Sequence, residues 1–279
     1  MNEKSGSQEN YSKAYILSVL TVTWLMTIAL FIDPTTGLNL FSIIMLIPGL
    51  LAIIFIKILH KNPKKQLIGF AKRISCRSLL FPILYPILFV VVCALIGLIT
   101  GIGELNFQKI LTIKDTTSVV TIIATLIGVL GEEYGWRGYL LPELTKIKGI
   151  TKSTIIVGMV WALYHVPAVY LLAKTTGSGN PLLLCFIQAC FIFCFSFPFS
   201  YCFYLSEKIL PVVLFHSIWN LLNTTVLGDL YRNEQGIIEG NLLYLNGEGI
   251  LGLFLGTCLI YWFIKQLKKD EHTSNNLVE

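Results

Sequence analysis

Three short segments place ionisable or amide side chains inside long apolar stretches of the sequence. Ionisable groups cost several kcal/mol in hydrocarbon, so their presence there marks function by default. The segments run Gly131-Glu132-Glu133-Tyr134-Gly135-Trp136-Arg137-Gly138, Trp161-Ala162-Leu163-Tyr164-His165 and His216-Ser217-Ile218-Trp219-Asn220.

Helical spacing sorts these side chains into faces. Glu133 and Arg137 are four residues apart with the acid first, the favourable orientation for an ion pair on one helix face. Glu132 points about 100° away around the same helix, so that pair leaves it free to act. The same four-residue spacing puts His216 beside Asn220, and Trp161 beside His165.

The depth of the three segments is compatible with one buried site. The helical rise per residue gives the distance of each side chain from the end of its helix that we predict to be cytoplasmic. It is roughly 17 Å for His165, 10 Å for His216 and 12 Å for Glu132. A carboxylate, two histidines and an amide in a low-dielectric cavity suit peptide hydrolysis, with a carboxylate as general base on water. An imidazole N–H and an amide can stabilise the tetrahedral oxyanion.

Other catalytic chemistry has less support from the sequence. No serine or cysteine is visibly paired with this set, so a covalent nucleophile is not predicted. Two histidines and a glutamate are permitted zinc ligands, but the sequence contains no HExxH motif. We therefore expect no cofactor and no metal ligand, with zinc as the alternative.

The composition sets the fold class that must position these residues. Of 279 residues, 54% are hydrophobic and only 13% are charged, with a mean hydropathy of +0.72. A soluble chain carries roughly 25% charged residues, which excludes a water-soluble enzyme, and the apolar content excludes disorder. The apolar runs are continuous and about twice the length of barrel strands. These features predict an all-α polytopic membrane protein with about eight transmembrane helices around a buried polar site.

The predicted organisation is one membrane domain between two polar tails. Residues 1–13 form a cytoplasmic tail expected to be disordered, and residues 268–279 form a second cytoplasmic tail. A single eight-span domain occupies residues 14–267. Its spans are predicted at 14–33, 38–59, 79–99, 118–140, 154–173, 181–205, 209–227 and 248–267.

The basic residues predict the orientation of these spans. With a cytoplasmic N-terminus, 17 of the 21 lysines and arginines fall inside and 4 outside, as the positive-inside rule requires. Both termini are therefore expected in the cytoplasm of a multi-pass cell-membrane protein. Loops 60–78 and 141–153 should be cytoplasmic and 228–247 external. The partners expected are the lipid bilayer and a peptide or small-protein substrate, without nucleic acid.

Prolines and glycines inside the spans predict how neighbouring helices contact one another. A helical proline frees the carbonyl four residues earlier, which a neighbouring helix or a polar cavity must then satisfy. Small-residue pairs predict close helix packing, and cysteines within the spans are read as small apolar fillers. The prolines are Pro48, Pro82, Pro86, Pro167 and Pro198, and the glycine pairs are Gly97/Gly101, Gly131/Gly135 and Gly252/Gly256.

In order and spacing, EEYGWRGYL, WALYH and HSIWN resemble the motifs EExxxR, FxxxH and HxxxN of the CAAX-protease and bacteriocin-processing family. The resemblance spans residues 132–220, with Trp161 in place of the phenylalanine of the second motif. It implies an intramembrane endopeptidase in which Glu132 activates water and His165 assists. It further implies that His216 and Asn220 form the oxyanion site and that Glu133 and Arg137 support it.

The resemblance leaves the substrate open. We expect a membrane-associated peptide or protein, in bacterial peptide or bacteriocin processing or in self-immunity. The alternative is a non-catalytic immunity protein or transporter that binds a peptide in the same cavity; kinked spans would suit a transporter, and the absence of a repeat counts against one.

Overall fold

The computed structural model describes the backbone of residues 3–59, 75–116 and 119–275. The expected all-α membrane architecture is confirmed. Seven helices in this part of the chain are long and apolar enough to cross a membrane: Gln8–Leu30, Pro34–Ile58, Cys76–Thr100, Ile150–Thr176, Pro181–Tyr204, Ile209–Leu227 and Leu242–Lys269. Most of the predicted loop 60–78, with His60, lies outside the described residues.

The elements follow one another with few irregular connections. In chain order they are α1 Glu3–Leu30, α2 Pro34–Leu40, a 3₁₀ helix Phe41–Leu46, α3 Ile47–Leu59, α4 Cys76–Thr100, β1 Gly103–Leu105, α5 Phe107–Thr116, α6 Val119–Glu133, a π segment Tyr134–Leu140, α7 Leu141–Lys148, α8 Ile150–Thr176, α9 Pro181–Tyr204, α10 Ile209–Leu222, a second π segment Asn223–Leu227, β2 Ile238–Gly240, α11 Leu242–Leu245 and α12 Ile250–Asn275. The strands β1 and β2 pair antiparallel, with Gly103 opposite Gly240.

The predicted fourth span, 118–140, differs from the other seven. Its chain passes from α6 into the π segment Tyr134–Leu140 and then into α7. The change to π geometry begins directly after Glu133, and such segments occur frequently at functional sites.

Close glycine contacts fix this irregular helix against its neighbour. A Cβ on Gly135 would lie 2.4 Å from the Cβ of Pro48, and one on Gly131 would lie 2.9 Å from the Cα of Leu46. The predicted close packing of Gly131/Gly135 is thereby confirmed. The prediction for Gly101 is wrong: it lies beyond the end of α4 at φ 73°, a left-handed helix cap with open space around it.

The carbonyl freed by Pro167 accepts a donor from a neighbouring helix, as predicted. Pro167 frees the carbonyl of Leu163, which accepts a hydrogen bond from Trp24 Nε1 at 3.1 Å. The carbonyl of Ile44, four residues before Pro48, accepts the backbone N–H of Ile47 and also Tyr164 Oη, the latter at 3.2 Å. These two bonds tie α8 to α1 and to the 3₁₀ helix through the two residues that precede His165.

The expectation of a disordered N-terminal tail is wrong for the described residues. Helix α1 begins at Glu3, and Gln8 Nε2 donates to Glu143 Oε2 at 2.7 Å. Glu9 accepts a bond from Lys148 Nζ at 3.2 Å. The polar start of α1 is ordered by α7, so the N-terminus and loop 141–153 lie on the same side of the molecule.

At the opposite end, a polar cluster holds α10 in place. The Glu248 carboxylate accepts hydrogen bonds from Trp219 Nε1 at 3.2 Å, from Gln188 Nε2 at 2.8 Å and from Tyr231 Oη at 2.9 Å. Three elements thus meet at one acid. Because Trp219 is adjacent to Asn220, this cluster fixes the end of α10 that carries the third motif.

Candidate active site

Glu132 occupies the last turn of α6 with 1% of its surface exposed. Its Oε1 accepts a hydrogen bond of 2.5 Å from Trp161 Nε1, and His165 Nε2 lies 3.8 Å away. Arg137 bonds Glu133 instead, so Glu132 stays outside the ion pair, as the helical spacing predicted. The structure therefore presents Glu132 as a buried carboxylate facing an imidazole.

His165 faces this carboxylate through a defined ring nitrogen. Its Nδ1 lies 2.8 Å from the backbone carbonyl of Trp161. A carbonyl only accepts, so Nδ1 carries the proton and, in the neutral ring, Nε2 carries the lone pair directed toward Glu132. His165 is the most accessible of the charged motif side chains, at 21% exposure against 1% for Glu132.

Glu133 is held on both sides by cationic or protonatable groups. Arg137 donates from one terminal nitrogen to both Glu133 oxygens, each at 3.0 Å, and both side chains are fully buried. His216 Nδ1 lies 2.8 Å from Glu133 Oε1. The predicted Glu133–Arg137 pair is present, and Glu133 additionally joins α6 to α10.

The ring orientation of His216 defines what it can donate. With Nδ1–H directed at Glu133, a neutral His216 has no proton at Nε2, whereas an imidazolium has one. The two carboxylates are balanced in charge when Arg137 and a protonated His216 are both present. A buried cluster without net charge avoids the large desolvation cost of an isolated ion.

Aromatic rings enclose the guanidinium of the cluster. Arg137 Cζ lies 4.1 Å from the ring centre of Trp161 and 4.6 Å from that of Phe199. A second terminal nitrogen of Arg137 donates to Ser196 Oγ at 3.2 Å. The cation is therefore oriented by α8 and α9 as well as by its own helix, which fixes Glu133 in turn.

Asn220 is half-buried, one helical turn beyond His216 on α10. Its backbone carbonyl accepts from Thr224 Oγ1 at 2.7 Å. Within the described part of the chain, no hydrogen bond to its side-chain amide is found. The structure places it on the face of His216 with its amide available.

The sequence motifs located all six candidate residues but missed some of their partners. Trp161 was predicted beside His165, yet its bond to Glu132 crosses between α8 and α6 and was not foreseen. Ser196 and Phe199 were also missed, although a serine within an otherwise apolar helix is a detectable signal. The contact of His216 with Glu133 joins residues 83 positions apart and has no sequence signal.

The zinc alternative depends on how histidines and acids are placed around Glu132. Among the described residues, no group of three His, Cys, Asp or Glu side chains could hold a metal ion. The nitrogen that His216 directs at the cluster faces a carboxylate already bonded to Arg137. A guanidinium beside that carboxylate is an unfavourable neighbour for a dication.

Comparison with known proteins matches the same part of the chain. Residues 114–222 match the family described as type II CAAX prenyl endopeptidase Rce1-like, a range that contains all six candidate residues. The protein named CAAX prenyl protease 2 from Methanococcus maripaludis is 27% identical over 170 residues, which cover 57% of this chain and 62% of that protein. The match thus spans less than two thirds of the relative. The three motifs, the family match and this relative fall on the same part of the chain, which is similar to the CAAX-protease and bacteriocin-processing family, as its sequence predicted.

Proposed function

We propose that the protein is an intramembrane endopeptidase in which Glu132 activates a water molecule to hydrolyse a peptide bond. The observation that carries this proposal is the buried Glu132 carboxylate 3.8 Å from His165 Nε2, in a site where Arg137 is occupied by Glu133. A carboxylate without a paired cation is available as a general base. The family match supports this reaction class.

In the proposed reaction, a water molecule lies between Glu132 and His165. It donates one hydrogen to the Glu132 carboxylate and the other to His165 Nε2. The water oxygen bonds to the carbonyl carbon while Glu132 takes one proton. The carbonyl oxygen becomes an oxyanion, for which an imidazolium Nε2–H of His216 and the Asn220 amide are the donors. Glu132 then returns the proton to the leaving nitrogen as the carbon–nitrogen bond breaks, so atoms and charge balance.

Glu133 and Arg137 act as positioning residues in this scheme. Glu133 orients the His216 ring and stabilises its positive charge, while Arg137 holds Glu133 through two bonds of 3.0 Å. An imidazolium donor aimed at a developing oxyanion acts in a water-poor site, where such electrostatic stabilisation is strongest. No step in this scheme requires a metal.

For the substrate, we propose a membrane-associated peptide or small protein, in bacterial peptide or bacteriocin processing or in self-immunity. The name of the matched relative favours a second candidate, the prenylated tail of a CaaX protein. Both candidates share a lipid-proximal peptide bond, which could reach the site through the partly exposed His165. The two are separated by offering quenched fluorescent peptides with a farnesylated CaaX end or with a double-glycine leader.

The test of the reaction is Glu132→Gln in purified protein reconstituted in vesicles. Gln preserves size and the hydrogen bond from Trp161 but removes the base, so cleavage should fall by about 10²–10⁴-fold. Glu143→Gln provides the matched control, because Glu143 is a buried acid on α7 that lies outside the site. Chelator treatment of the wild-type protein should leave the rate unchanged.

Two results would contradict the proposal. Full cleavage or full cellular function of a normally expressed Glu132→Gln protein would favour the non-catalytic alternative, in which the cavity only binds a peptide. Stoichiometric zinc in active protein, removed by chelation together with activity and restored with it, would overturn the metal-free mechanism.

A further inference from the structure

A shallow apolar groove runs along the exposed side of α4, and none of the motif residues lines it. Its volume is about 430 Å³, and its lining residues are Arg77, Leu80, Phe81, Leu84, Tyr85 and Leu88. The three leucines recur every four residues and are 47%, 47% and 59% exposed. Arg77, in the first turn of α4, is the one charged member of this lining.

The floor of the groove is a wall of packed aromatic rings. Phe81 and Tyr85 make edge-to-face contacts with Phe215 at 5.9 and 5.6 Å, and with Phe263 at 6.1 and 5.5 Å. Because each ring packs into the core, the groove is shaped by the fold itself. Phe215 precedes His216, so this wall separates the groove from the candidate active site.

The Arg77 guanidinium is oriented at the end of the groove. It donates to Tyr201 Oη and lies 5.6 Å over the Tyr201 ring. The bond to Tyr201 uses one of five N–H groups, and the Arg77 side chain is exposed. A cation held in place at the mouth of an apolar groove is complementary to an anion that carries a hydrocarbon chain.

The length of the groove matches one leaflet of a bilayer. Leu88 lies eleven positions after Arg77, which is about 16 Å along a helix. Half of a hydrocarbon core of about 30 Å is about 15 Å. A peptide would leave backbone N–H and C=O groups unsatisfied against this lining, whereas an acyl chain has none.

From this geometry we infer that the groove on α4 binds an anionic phospholipid, with the headgroup phosphate at Arg77 and an acyl chain along Leu80, Leu84 and Leu88. The positive-inside distribution predicts that Arg77 lies on the cytoplasmic side, where anionic lipids attract basic side chains. The site is independent of the proposed peptidase reaction. Its occupant is a bilayer lipid and not a substrate.

The experiment measures retained lipid on purified full-length protein by native mass spectrometry, with phosphatidylglycerol and phosphatidylcholine of identical chains in competition. Wild type should retain phosphatidylglycerol about five-fold over phosphatidylcholine. Arg77→Gln should abolish this preference, and Arg77→Lys should keep most of it. Lys57→Gln is the matched control, since it removes an exposed cation from the last turn of α3 without touching the groove.

A second pair of variants tests the apolar part of the site. Leu84→Trp fills the groove and should reduce retention of both lipids several-fold. Leu79→Trp adds the same ring at an exposed α4 position outside the lining and should have no effect. Glycerol phosphate, which carries the headgroup anion without chains, should not compete at millimolar concentration.

The inference is overturned if wild type shows no headgroup preference, if Arg77→Gln retains it, or if Lys57→Gln abolishes it equally. Equal effects of the two tryptophan variants would also refute the placement of the acyl chain. Displacement by glycerol phosphate alone would identify a soluble-anion site in place of a lipid site.

Discussion

Replacement of Glu133 by glutamine should expose how strongly the buried cluster depends on charge balance. Arg137 is fully buried, and both of its bonds to a carboxylate go to Glu133. Glutamine has one carbonyl oxygen and no charge, so Arg137 would lose its counterion inside the bundle. Breaking a buried ion pair by removing one partner costs about 3–5 kcal/mol.

The reverse substitution should cost less, because Glu133 has a second partner. In Arg137→Gln, the carboxylate keeps His216 at 2.8 Å, and an imidazolium there replaces the lost positive charge. We expect Arg137→Gln to lower the free energy of unfolding by about half as much as Glu133→Gln does. This loss should grow as the pH rises, because a deprotonated imidazole no longer compensates the charge of the carboxylate.

The double variant provides the decisive measurement. With both charges removed, Glu133→Gln/Arg137→Gln should recover to within about 1–2 kcal/mol of wild type, which gives a coupling energy of roughly 2 kcal/mol or more. Unfolding in mixed detergent micelles, with Glu143→Gln as the control acid, measures these differences. Strictly additive single losses, or a Glu133→Gln protein as stable as wild type, would refute the assignment of Glu133 as the counterion of Arg137.

Three further predictions address positioning, catalysis and topology. Trp24→Phe should destabilise the fold by about 0.6–1 kcal/mol by leaving the Leu163 carbonyl unpaired, measured by the same unfolding titration; no loss would mean that the carbonyl finds another donor. Asn220→Ala should lower kcat by about 10²–10³-fold with unchanged thermal stability, since its amide supports only the oxyanion; a loss of stability with unchanged kcat would contradict that role. A cysteine at Asn233, in a background lacking native cysteines, should react with an impermeant reagent from outside, whereas one at Lys152 should be protected; the opposite pattern would invert the topology.

The sequence predicted those features of the site that depend on a single helix. Four-residue spacing on a helix is enough to pair Glu133 with Arg137 and to leave Glu132 apart. The membrane class followed from composition, because so few charged residues cannot cover a water-exposed surface. The freed carbonyl of Leu163 was also predictable, since a helical proline removes one donor at a known position.

Features that depend on contacts between helices had no such signal. The bond from Trp161 to Glu132 and the contact of His216 with Glu133 require the relative rotation of three helices, which spacing within each cannot specify. The passage from α6 into a π segment was likewise not predicted; there Gly131 and Gly135 pack closely against Leu46 of the 3₁₀ helix and Pro48 of α3. The described chain is helical from Val119 to Leu140, as expected for the predicted span 118–140, and only its change to π geometry was not foreseen.

The two glutamates of the first motif are adjacent in sequence, yet the structure gives them opposite surroundings. Glu133 meets Arg137 and His216, whereas Glu132 meets an indole N–H and an imidazole nitrogen with a lone pair. Because adjacent helical residues point about 100° apart, one helix turn can supply both a neutralised acid and an unpaired one. If both glutamates shared the Arg137 guanidinium equally, Glu132 would form half of an ion pair. It would then be less able to take a proton from water. The spacing of Arg137, four residues after Glu133 and five after Glu132, thus separates the ion-paired carboxylate from the one that we propose activates water.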